Sequence, residues 1–358
     1  MAPVVKAFQQ AGDRIETVVA VTAQHRSQLD QVLETFDIRP DFDLDIMQPG
    51  QTLAGVTARA LQGLDNVFNE VQPAVSLAQG DTTTTFVASL ASFYHKIPFG
   101  HVEAGLRTDD RYQPFPEEIN RRLSAVLADL HFAPTAMARD RLISEGISPD
   151  HVFLTGNTVI DALLEVADRP YEFEDRRLSD LRASGARVLL VTLHRRENLG
   201  EPMRNVCAAI LELLKRFPDV RVVFPVHLNP LVREVVYGEL GSHPGVLLIE
   251  HQPYAALVHL EKLCTLALTD SGGIQEEAPS LGKPVLVARE TTERPEGVEA
   301  GAARLVGTST DVIVNVASEL LSNPAAYNRM AHVENPYGDG HAARRICEHT
   351  LKYLGCSG

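Results

Sequence analysis

The sequence has fewer basic than acidic residues, and it contains none of the long apolar runs that cross a bilayer. Its 33 Lys and Arg against 47 Asp and Glu give a formal net charge of −14. Nucleic acids and anionic membranes attract clustered positive charge. No basic region followed by a hydrophobic signal core opens the chain. We therefore expect no nucleic-acid partner, no membrane partner and no secretion.

Cysteine is scarce, and the four residues of this type are scattered: Cys207, Cys264, Cys347 and Cys356. Their spacing contains no CxxC pair and no combination with histidine that is typical of a zinc site. Reduced thiols and a cytoplasmic location fit this pattern. Zinc-protease, Walker, nucleophile-elbow and dinucleotide-binding motifs are also missing in a suitable context. Metal, ATP, serine-hydrolase and NAD-dependent functions therefore lose support.

What the sequence does contain is apolar runs of strand length that alternate with segments of helical period. They form two series, PAVSLAQGD and IPFGHVEAG being typical of the first, and RVLLVTLH, RVVFPVH and TLALTDSG of the second. Strands alternating with helices predict parallel sheets covered by helices on both faces, so the predicted fold class is α/β. A charged stretch near Arg169 separates the series, and 358 residues suit two domains.

The start of the chain is irregular, because MAPVVKAFQQAG already has helical period and leads into the run ETVVAVT. A parallel sheet ordinarily opens with a strand whose carboxyl-end loop faces the ligand. Either the fold begins unusually, or about one strand and its loop are missing.

Polar residues stand at the ends of runs in the first series, where open α/β sheets bind ligands. Asp81 is interpreted as an acid, base or orienting group, or simply as the N-cap of the next helix. Glu103 ends the following run, and paired carboxylates in a cleft acquire separated pKa values suited to acid and base roles. Glu117 and Arg121 lie four residues apart on the next predicted helix, which is equally compatible with a surface ion pair.

In the second series, the residues that follow the apolar runs are suited to binding an anion. Ser271, Gly272 and Gly273 join the run TLALTD to a predicted helix, whose free N–H groups and dipole favour phosphate. A glycine-softened turn is the plainer alternative. Glu277 is placed to bind ribose hydroxyls or merely to stabilise the helix.

Two further residues of the second series are candidates. His194 ends a run and precedes two arginines, which favours a phosphate-facing site, although a lone histidine is more often a structural hydrogen-bonder. Arg294 lies in a loop that either lines a cleft or is simply exposed to solvent.

Taken together, nine motifs closely resemble the non-hydrolysing UDP-N-acetylglucosamine 2-epimerases over nearly the whole chain and in the same order: QGDTTTT, HVEAGLRT, PEEINRRL, TGNTVIDAL, HRRENLGEPM, PVHLNP, TDSGGIQEEAPSLGKPVL, TTERPEG and NPYGDG. The resemblance implies the GT-B fold, in which two Rossmann-like domains face each other across a cleft and the terminal helix packs back on the first. We therefore expect domains at 1–168 with 340–358, and at 169–339.

The resemblance also implies the reaction, a reversible conversion of UDP-N-acetylglucosamine to UDP-N-acetylmannosamine for cell-surface polysaccharide precursors. UDP is eliminated to give a 2-acetamidoglucal and is then added back. Asp81, Glu103 and Glu117 would be the acid/base carboxylates, with Arg121 beside them and His194 near the diphosphate. No metal, nicotinamide or other cofactor is implied, and members of the family are usually homodimers.

A binding site for UDP is implied by the same resemblance: Ser271, Gly272 and Gly273 for the phosphates, Glu277 for the ribose, Gln252 with the Leu257 backbone for the uracil side, and Arg294 to complete the pocket. Gln24 and His227 match positions at which bacterial members bind an activating substrate molecule. At Ser27 and Gly50, however, the regulated members have glutamine and arginine.

Family members begin with a strand and a GTRPEAIK-like loop whose arginine and lysine reach the substrate, whereas this chain starts at the methionine right after that loop. We expect a sheet that lacks a central strand, a cleft that lacks two positive charges, and lower activity than a version extended upstream. Two other functions stay open. One is a GT-B glycosyltransferase with the same UDP cradle, and the other is a UDP-sugar-binding remnant.

Overall fold

The computed structural model describes residues 1–23, 26–48, 50–108 and 110–356. Its strands are, in chain order, β1 (Ala20–Val21), β2 (Phe42–Asp43), β3 (Ser76–Gln79), β4 (Phe99–Val102), β5 (Leu130–Ala133), β6 (Val152–Leu154), β7 (Arg187–Thr192), β8 (Val220–Pro225), β9 (Val246–Ile249), β10 (Leu266–Thr269), β11 (Val285–Val287) and β12 (Ala303–Leu305). Strands and helices alternate through most of the chain, which confirms the α/β fold class.

The helices are α1 (Ala2–Gln10), α2 (Arg26–Phe36), α3 (Leu53–Val71), α4 (Thr83–His95), α5 (Glu117–Leu127), α6 (Ala136–Ser144), α7 (Thr158–Ala167), α8 (Arg176–Ser184), α9 (Glu201–Arg216), α10 (Pro230–Leu240), α11 (Tyr254–Leu263), α12 (Gly272–Glu277), α13 (Pro295–Glu299), α14 (Thr310–Ser322), α15 (Pro324–Ala331) and α16 (Ala342–Tyr353). None of these helices combines the length and the apolar character that crossing a bilayer requires.

Two compact units divide the chain, the first made of Met1–Ala162 with Tyr337–Gly358 and the second of Leu163–Pro336. In the first unit, β3, β4, β5 and β6 form a parallel sheet in that order, and β1 pairs with β2 in a separate parallel pair. In the second unit, the parallel sheet has the order β12-β11-β10-β7-β8-β9. The domain limits proposed from the sequence differ from these units by a few residues and stay a prediction.

The sheet of the second unit is buried on both faces. Successive residues of β7 enter two different apolar clusters, Leu189 and Val191 with side chains of α9 and α14, and Val188 and Leu190 with side chains of α8 and α11. A parallel strand covered by helices on both sides requires such a continuous apolar run. The polar residues after the run therefore lie at the carboxyl end of the strand, where a ligand can reach them.

The sheet of the first unit also has helices on two faces. Phe132 of β5 packs in a cluster with side chains of α1 and α16. Phe99 of β4 packs in another with side chains of α3 and α4. The terminal helix α16 thus packs within the first unit.

Short strands are where the sequence prediction and the structure differ. The run ETVVAVT contributes only the two residues of β1, and β2 and β12 occupy positions where no strand was expected. Runs of two or three residues cannot show a period, so hydrophobic patterning does not detect them. The helix predicted at the chain start is present as α1.

Candidate functional site

The turn after β3 leads into α4 and carries the first predicted site residue. Gly80 has φ +79°, a left-handed conformation that side chains disfavour. Thr82 is the N-cap of α4, because its hydroxyl accepts the N–H of Thr85 at 3.4 Å. The alternative in which Asp81 merely caps this helix is therefore wrong, and the carboxylate of Asp81 is left for another contact.

That contact is with α5. Oδ2 of Asp81 accepts from Nη2 of Arg121 at 2.6 Å, and its backbone carbonyl accepts from Nδ2 of Asn120 at 3.0 Å. Arg121 also lies 3.5 Å from Glu118, whose side chain is fully buried. A charge-assisted hydrogen bond in partly buried surroundings fixes the direction of the Asp81 carboxylate. Arg121 thus contacts a residue of another element, beyond the surface pair with Glu117 that its spacing suggested.

Glu103 follows β4 directly and lies beside the same turn. Its φ of +62° is a conformation that costs a non-glycine residue of order 1 kcal/mol. Nε2 of Gln79 donates to Oε2 of Glu103 at 3.1 Å, and a Cβ atom on Gly80 would lie 3.8 Å from that oxygen. The side chain of Glu103 therefore lies beside the turn that carries Asp81, and the two residues follow adjacent strands. Glu117 begins α5, one helical turn before Arg121.

Beneath this turn lies a histidine that sequence reasoning missed. His101 of β4 is fully buried, and its Nε2–H donates to the carbonyl oxygen of Gly80 at 2.8 Å. Burial lowers the pKa of His101 to about 4 despite that bond, and the charges of Arg107 and Arg121 act in the same direction as burial. Burial also lowers the pKa of His131 to about 4, with His101 contributing. The sequence signal that could have identified His101 is a histidine inside the apolar run IPFGHVEAG.

These two buried histidines predict a loss of stability in mild acid. Below pH 6.5 the unfolded chain binds protons at His101 and His131, while the folded chain does not until about pH 4. The free energy of unfolding should therefore fall as the pH falls from 6.5 to 4, by about 3 kcal/mol for each histidine.

Urea unfolding followed by circular dichroism between pH 7 and 4.5 measures this loss. The variant His101→Gln should flatten the curve, because a neutral amide can still donate to Gly80 and takes up no proton. His341→Gln, a change at an exposed histidine, should leave the curve unaltered. Parallel curves for the parent chain and His101→Gln would contradict the assignment.

In the second unit the strand order reverses between β7 and β10. β7 continues to β8 and β9 on one side, and β10 continues to β11 and β12 on the other. Ligands of open α/β sheets bind at the carboxyl ends of the strands beside such a reversal. His194 lies just beyond β7, and Ser271 lies just beyond β10. Two candidates chosen from the sequence thus lie at the point where a ligand is expected.

Asp270 joins these two strand ends, and sequence reasoning missed it. Its buried carboxylate accepts the backbone N–H of His194 at 3.0 Å, the N–H of Arg195 at 2.9 Å and Nδ2 of Asn198 at 2.9 Å. Nδ1 of His194 lies 3.0 Å from its Oδ1. Burial alone would raise the pKa of Asp270, but the bonds from His194, Arg195 and Asn198 hold it below its ordinary value. Asp270 therefore orients the imidazole of His194.

The turn after β10 brings five predicted residues together. Ser271 occupies the N-cap position of α12, but its hydroxyl makes no capping bond. A Cβ atom on Gly272 would lie 4.0 Å from Nη2 of Arg294, and one on Gly273 would lie 3.8 Å from Oγ of Ser271 and 3.7 Å from Oε2 of Glu277. The first N–H groups of a helix have no partner within it. Hydroxyl, amide and guanidinium donors thus surround one small space.

Glu277 lies in a buried group of carboxyl side chains. The hydroxyl of Tyr254 donates to its Oε1 at 3.0 Å, and Arg294 pairs with the neighbouring Glu276. Burial raises the pKa of Glu277, the bond from Tyr254 opposes that rise, and the charge of Glu276 adds to it. Burial, and then the charge of Glu277, also raises the pKa of Glu261, whose oxygens have no partner. Burial therefore favours the protonated form of both Glu261 and Glu277.

A cavity of about 270 Å³ opens in the same unit, lined by Thr192, Leu193, His194, Pro225, His227, His251, Gln252, Leu257, Ser271 and Ile274. Gln252 donates through Nε2 to the carbonyl of Glu250 at 2.8 Å, and the N–H of Leu257 donates to the carbonyl of Pro253 at 3.0 Å. The ring of His227 stacks 5.7 Å from that of His194. Such a concave space with a few polar groups is typical of small-ligand sites.

The predicted residues thus fall into two groups, and their roles stay predictions. In the first unit the structure brings together Asp81, Glu103 and Arg121, with Glu117 at the start of α5. In the second it brings together Ser271, Gly272, Gly273, Glu277 and Arg294, and places His194, His227, Gln252 and Leu257 around the cavity. Gln24, a possible activator contact, lies outside the described residues.

Two Rossmann-like units, each with a parallel sheet and polar groups at its strand ends, define a protein of the GT-B-like class. A family profile described as UDP-N-acetylglucosamine 2-epimerase matches residues 6–351. The chain therefore belongs to the UDP-N-acetylglucosamine 2-epimerase family, which confirms the resemblance found in the sequence.

Individual relatives are similar over nearly their whole lengths. The UDP-N-acetylglucosamine 2-epimerase of Bacillus subtilis is 51% identical over 357 residues, covering 99% of this chain and 92% of the relative. The Escherichia coli K12 enzyme of that name is 51% identical over 354 residues, covering 97% and 94%. The crystal structure of the Neisseria meningitidis UDP-GlcNAc 2-epimerase bound to UDP-GlcNAc is 48% identical, with a TM-score of 0.85 over 98% of this chain and 96% of that one.

Proposed function

We propose that this chain converts UDP-N-acetylglucosamine reversibly to UDP-N-acetylmannosamine by inverting carbon 2 of the sugar. Relatives about half identical to it carry the name of that epimerase. The observation that carries the proposal is the pair of carboxyl side chains, Asp81 and Glu103, which follow adjacent parallel strands, with Glu103 beside the turn that carries Asp81. Inversion requires a base on one face of carbon 2 and an acid on the other, and two fixed carboxyl groups can supply both.

The first unit is proposed to carry out the proton transfers of the reaction. A base takes the proton of carbon 2 while the bond from carbon 1 to the UDP oxygen breaks, which gives 2-acetamidoglucal and UDP. UDP then adds back to carbon 1 while carbon 2 receives a proton on the opposite face. We assign these proton transfers to Asp81, Glu103 and Glu117. Arg121 supports them, because its bond at 2.6 Å keeps the Asp81 carboxylate in a fixed direction.

The second unit is proposed to bind the UDP portion. Ser271, Gly272 and Gly273 would take the phosphates through a hydroxyl and free helix N–H groups, with Arg294 close by. Glu277 would accept the ribose hydroxyls. Preorganised donors also stabilise UDP as it leaves, so this binding contributes to the rate as well as to the affinity.

The uracil side of UDP is assigned to the cavity of the second unit. Gln252 and the backbone of Leu257 line it, as do His194, proposed to lie near the diphosphate, and His227. We further propose that the product serves polysaccharide precursor synthesis in the cytoplasm. Four free cysteines support the location.

Incubation with UDP-N-acetylglucosamine in deuterated water tests the reaction. Deuterium at carbon 2 and the appearance of UDP-N-acetylmannosamine, followed by NMR, are the expected results. Loss of UDP-sugar only when an acceptor is present would mean a glycosyltransferase. Release of free N-acetylmannosamine and UDP would mean a hydrolysing enzyme, and binding without turnover would mean a UDP-sugar-binding remnant. Each of these three results contradicts the proposal.

We also propose a homodimer, and an exposed apolar group on α4 and α5 supports it. Phe93, Tyr94, Leu123 and Val126 are 62%, 63%, 42% and 79% exposed. Exposed aromatic and aliphatic side chains are typical of protein interfaces. A second copy of the chain is therefore the proposed partner of this surface.

Replacing Val126 with lysine should shift the protein from dimer to monomer, because a charge placed in an apolar interface loses its water without gaining a partner. Light scattering coupled to gel filtration measures the mass. The matched control is Val312→Lys on α14 of the second unit, where the valine is 43% exposed. A monomeric parent chain, or a Val126→Lys protein that stays dimeric, would contradict the proposal.

A further inference from the structure

A chain of hydrogen bonds joins the turn after β10 to the loop that carries Arg294. It runs through the side chain of Gln275 in α12, a residue that is 1% exposed, and through the hydroxyl of Thr292, two residues before Arg294. Neither Gln275 nor Thr292 belongs to the groups proposed above to contact UDP. Buried polar side chains with such partners fix the parts of the chain that they connect.

Each bond of this chain has a definite direction. Nε2 of Gln275 donates to the backbone carbonyl of Ser271 at 3.0 Å, because a carbonyl oxygen can only accept. The amide oxygen of Gln275 therefore faces Thr292 and accepts its hydroxyl hydrogen, with the two oxygens 2.6 Å apart. That hydroxyl has no second hydrogen, so it accepts the backbone N–H of Arg294 at 3.0 Å. One buried amide thus connects the Ser271 turn with the Arg294 loop.

Ser271 is also held from the side of the sheet. Its backbone N–H donates to Oγ1 of Thr269 at 2.9 Å, and that oxygen lies 2.6 Å from Oγ1 of Thr192. Thr269 and Thr192 are the last residues of β10 and β7, and the register of the sheet places them opposite each other. The position of Ser271 is therefore set by two strand ends on one side and by Gln275 on the other.

The side chain of Arg294 lies close to the same turn. A Cβ atom on Gly272 would lie 4.0 Å from its Nη2, and its guanidinium pairs with the carboxylate of Glu276. A long arginine side chain binds an anion more tightly when little of its freedom is left to lose on binding. The bond to Thr292 fixes the backbone of Arg294, and the pair with Glu276 fixes its guanidinium.

We propose that Gln275 and Thr292 are positioning residues, which hold the Ser271 turn and Arg294 together as one preformed site for a diphosphate. This inference rests on the proposed UDP site and adds to it two side chains that do not contact the nucleotide. Donors that are already in place cost less entropy when the ligand binds. Loss of the hydrogen-bond chain should therefore weaken binding of the phosphates and leave binding of the nucleoside unchanged.

Thr292→Val keeps the shape of the side chain and removes the hydroxyl. In isothermal titration calorimetry this variant should bind UDP, and inorganic pyrophosphate, about tenfold more weakly than the parent chain. Uridine, which has no phosphate, should bind to both proteins within about twofold. Thr292→Ser retains the hydroxyl and should bind UDP within about threefold of the parent. The matched control is Thr291→Val at the neighbouring, exposed threonine, which should bind UDP as the parent does.

A comparison of double variants separates positioning from direct contact. If Thr292 acts through Arg294, then Thr292→Val should weaken UDP binding by less than about twofold in a chain that already carries Arg294→Gln. Gln275→Met breaks both bonds of the amide, so it should weaken UDP binding of the parent by about tenfold or more. Its affinity for uridine should again stay within about twofold of the parent value.

The possible failures of the inference and of the proposed site are distinguishable. Equal UDP affinities of Thr292→Val and the parent would overturn the inference and leave the UDP site intact. Equal losses of UDP and uridine affinity would also overturn it, since they indicate general damage to the second unit. An undiminished effect of Thr292→Val in the Arg294→Gln chain would do the same. A parent chain that binds no UDP would instead contradict the proposed function, and this inference with it.

Discussion

Replacing Glu103 with glutamine is expected to lower kcat for epimerisation by about 10²- to 10⁴-fold, the range for removing a general acid or base. Glutamine has the same shape and can still meet Gln79, but it cannot take up and release a proton at working pH. The side chain lies beside the Gly80 turn and directly follows a buried strand. The conversion and the deuterium exchange at carbon 2, both followed by NMR, measure the effect.

Affinity for UDP separates a chemical role from a structural one. The UDP groups proposed here belong to the second unit, so Glu103→Gln should bind UDP within about twofold of the parent chain. Glu70→Gln, a change at an exposed glutamate on α3, should keep full activity. If Glu103→Gln retains a kcat within about threefold of the parent, then Glu103 is neither the acid nor the base. A parallel loss of UDP affinity would instead indicate a damaged fold.

Much of the fold was predictable because parallel strands buried on both faces have a strong apolar signal. β7 and β8 are six residues long, and their runs stand out in the sequence. β1 and β2, with two residues each, do not. Their pairing depends on contacts between distant parts of the chain, such as the bond from the N–H of Asp41 to the carbonyl of Val19. Patterning of a single segment carries no information on such contacts.

The candidate site was predictable to the level of the sheet edge and no further. We chose Asp81, Glu103, His194 and Ser271 because they follow predicted strands, and ligands of open α/β sheets bind at the carboxyl ends of the strands. The partners of these residues come from far along the chain, Arg121 being 40 residues from Asp81 and Asp270 being 76 residues from His194. Spacing within a motif cannot reveal them. The part that the sequence missed is thus the group of side chains that hold the predicted residues in place.

Asp270 is the strongest of these supporting residues. It accepts backbone N–H groups of His194 and Arg195 and the side-chain amide of Asn198. Asp270→Ala leaves these donors buried without an acceptor and removes the partner of the His194 imidazole. Removing one member of a buried charged network costs about 3–5 kcal/mol. The free energy of unfolding of Asp270→Ala should therefore fall by that amount in urea at pH 7.

Asp270→Asn separates the loss of charge from the loss of hydrogen-bond acceptors. One oxygen remains for the N–H groups, so this variant should lose less stability than Asp270→Ala. Urea unfolding of both variants at pH 7 measures the difference in their free energies of unfolding. The control Asp180→Ala, at an exposed position of α8, should change stability by less than about 0.5 kcal/mol. Equal stabilities of Asp270→Ala and the control would mean that water replaces the carboxylate, and that the two strand ends keep their places without it.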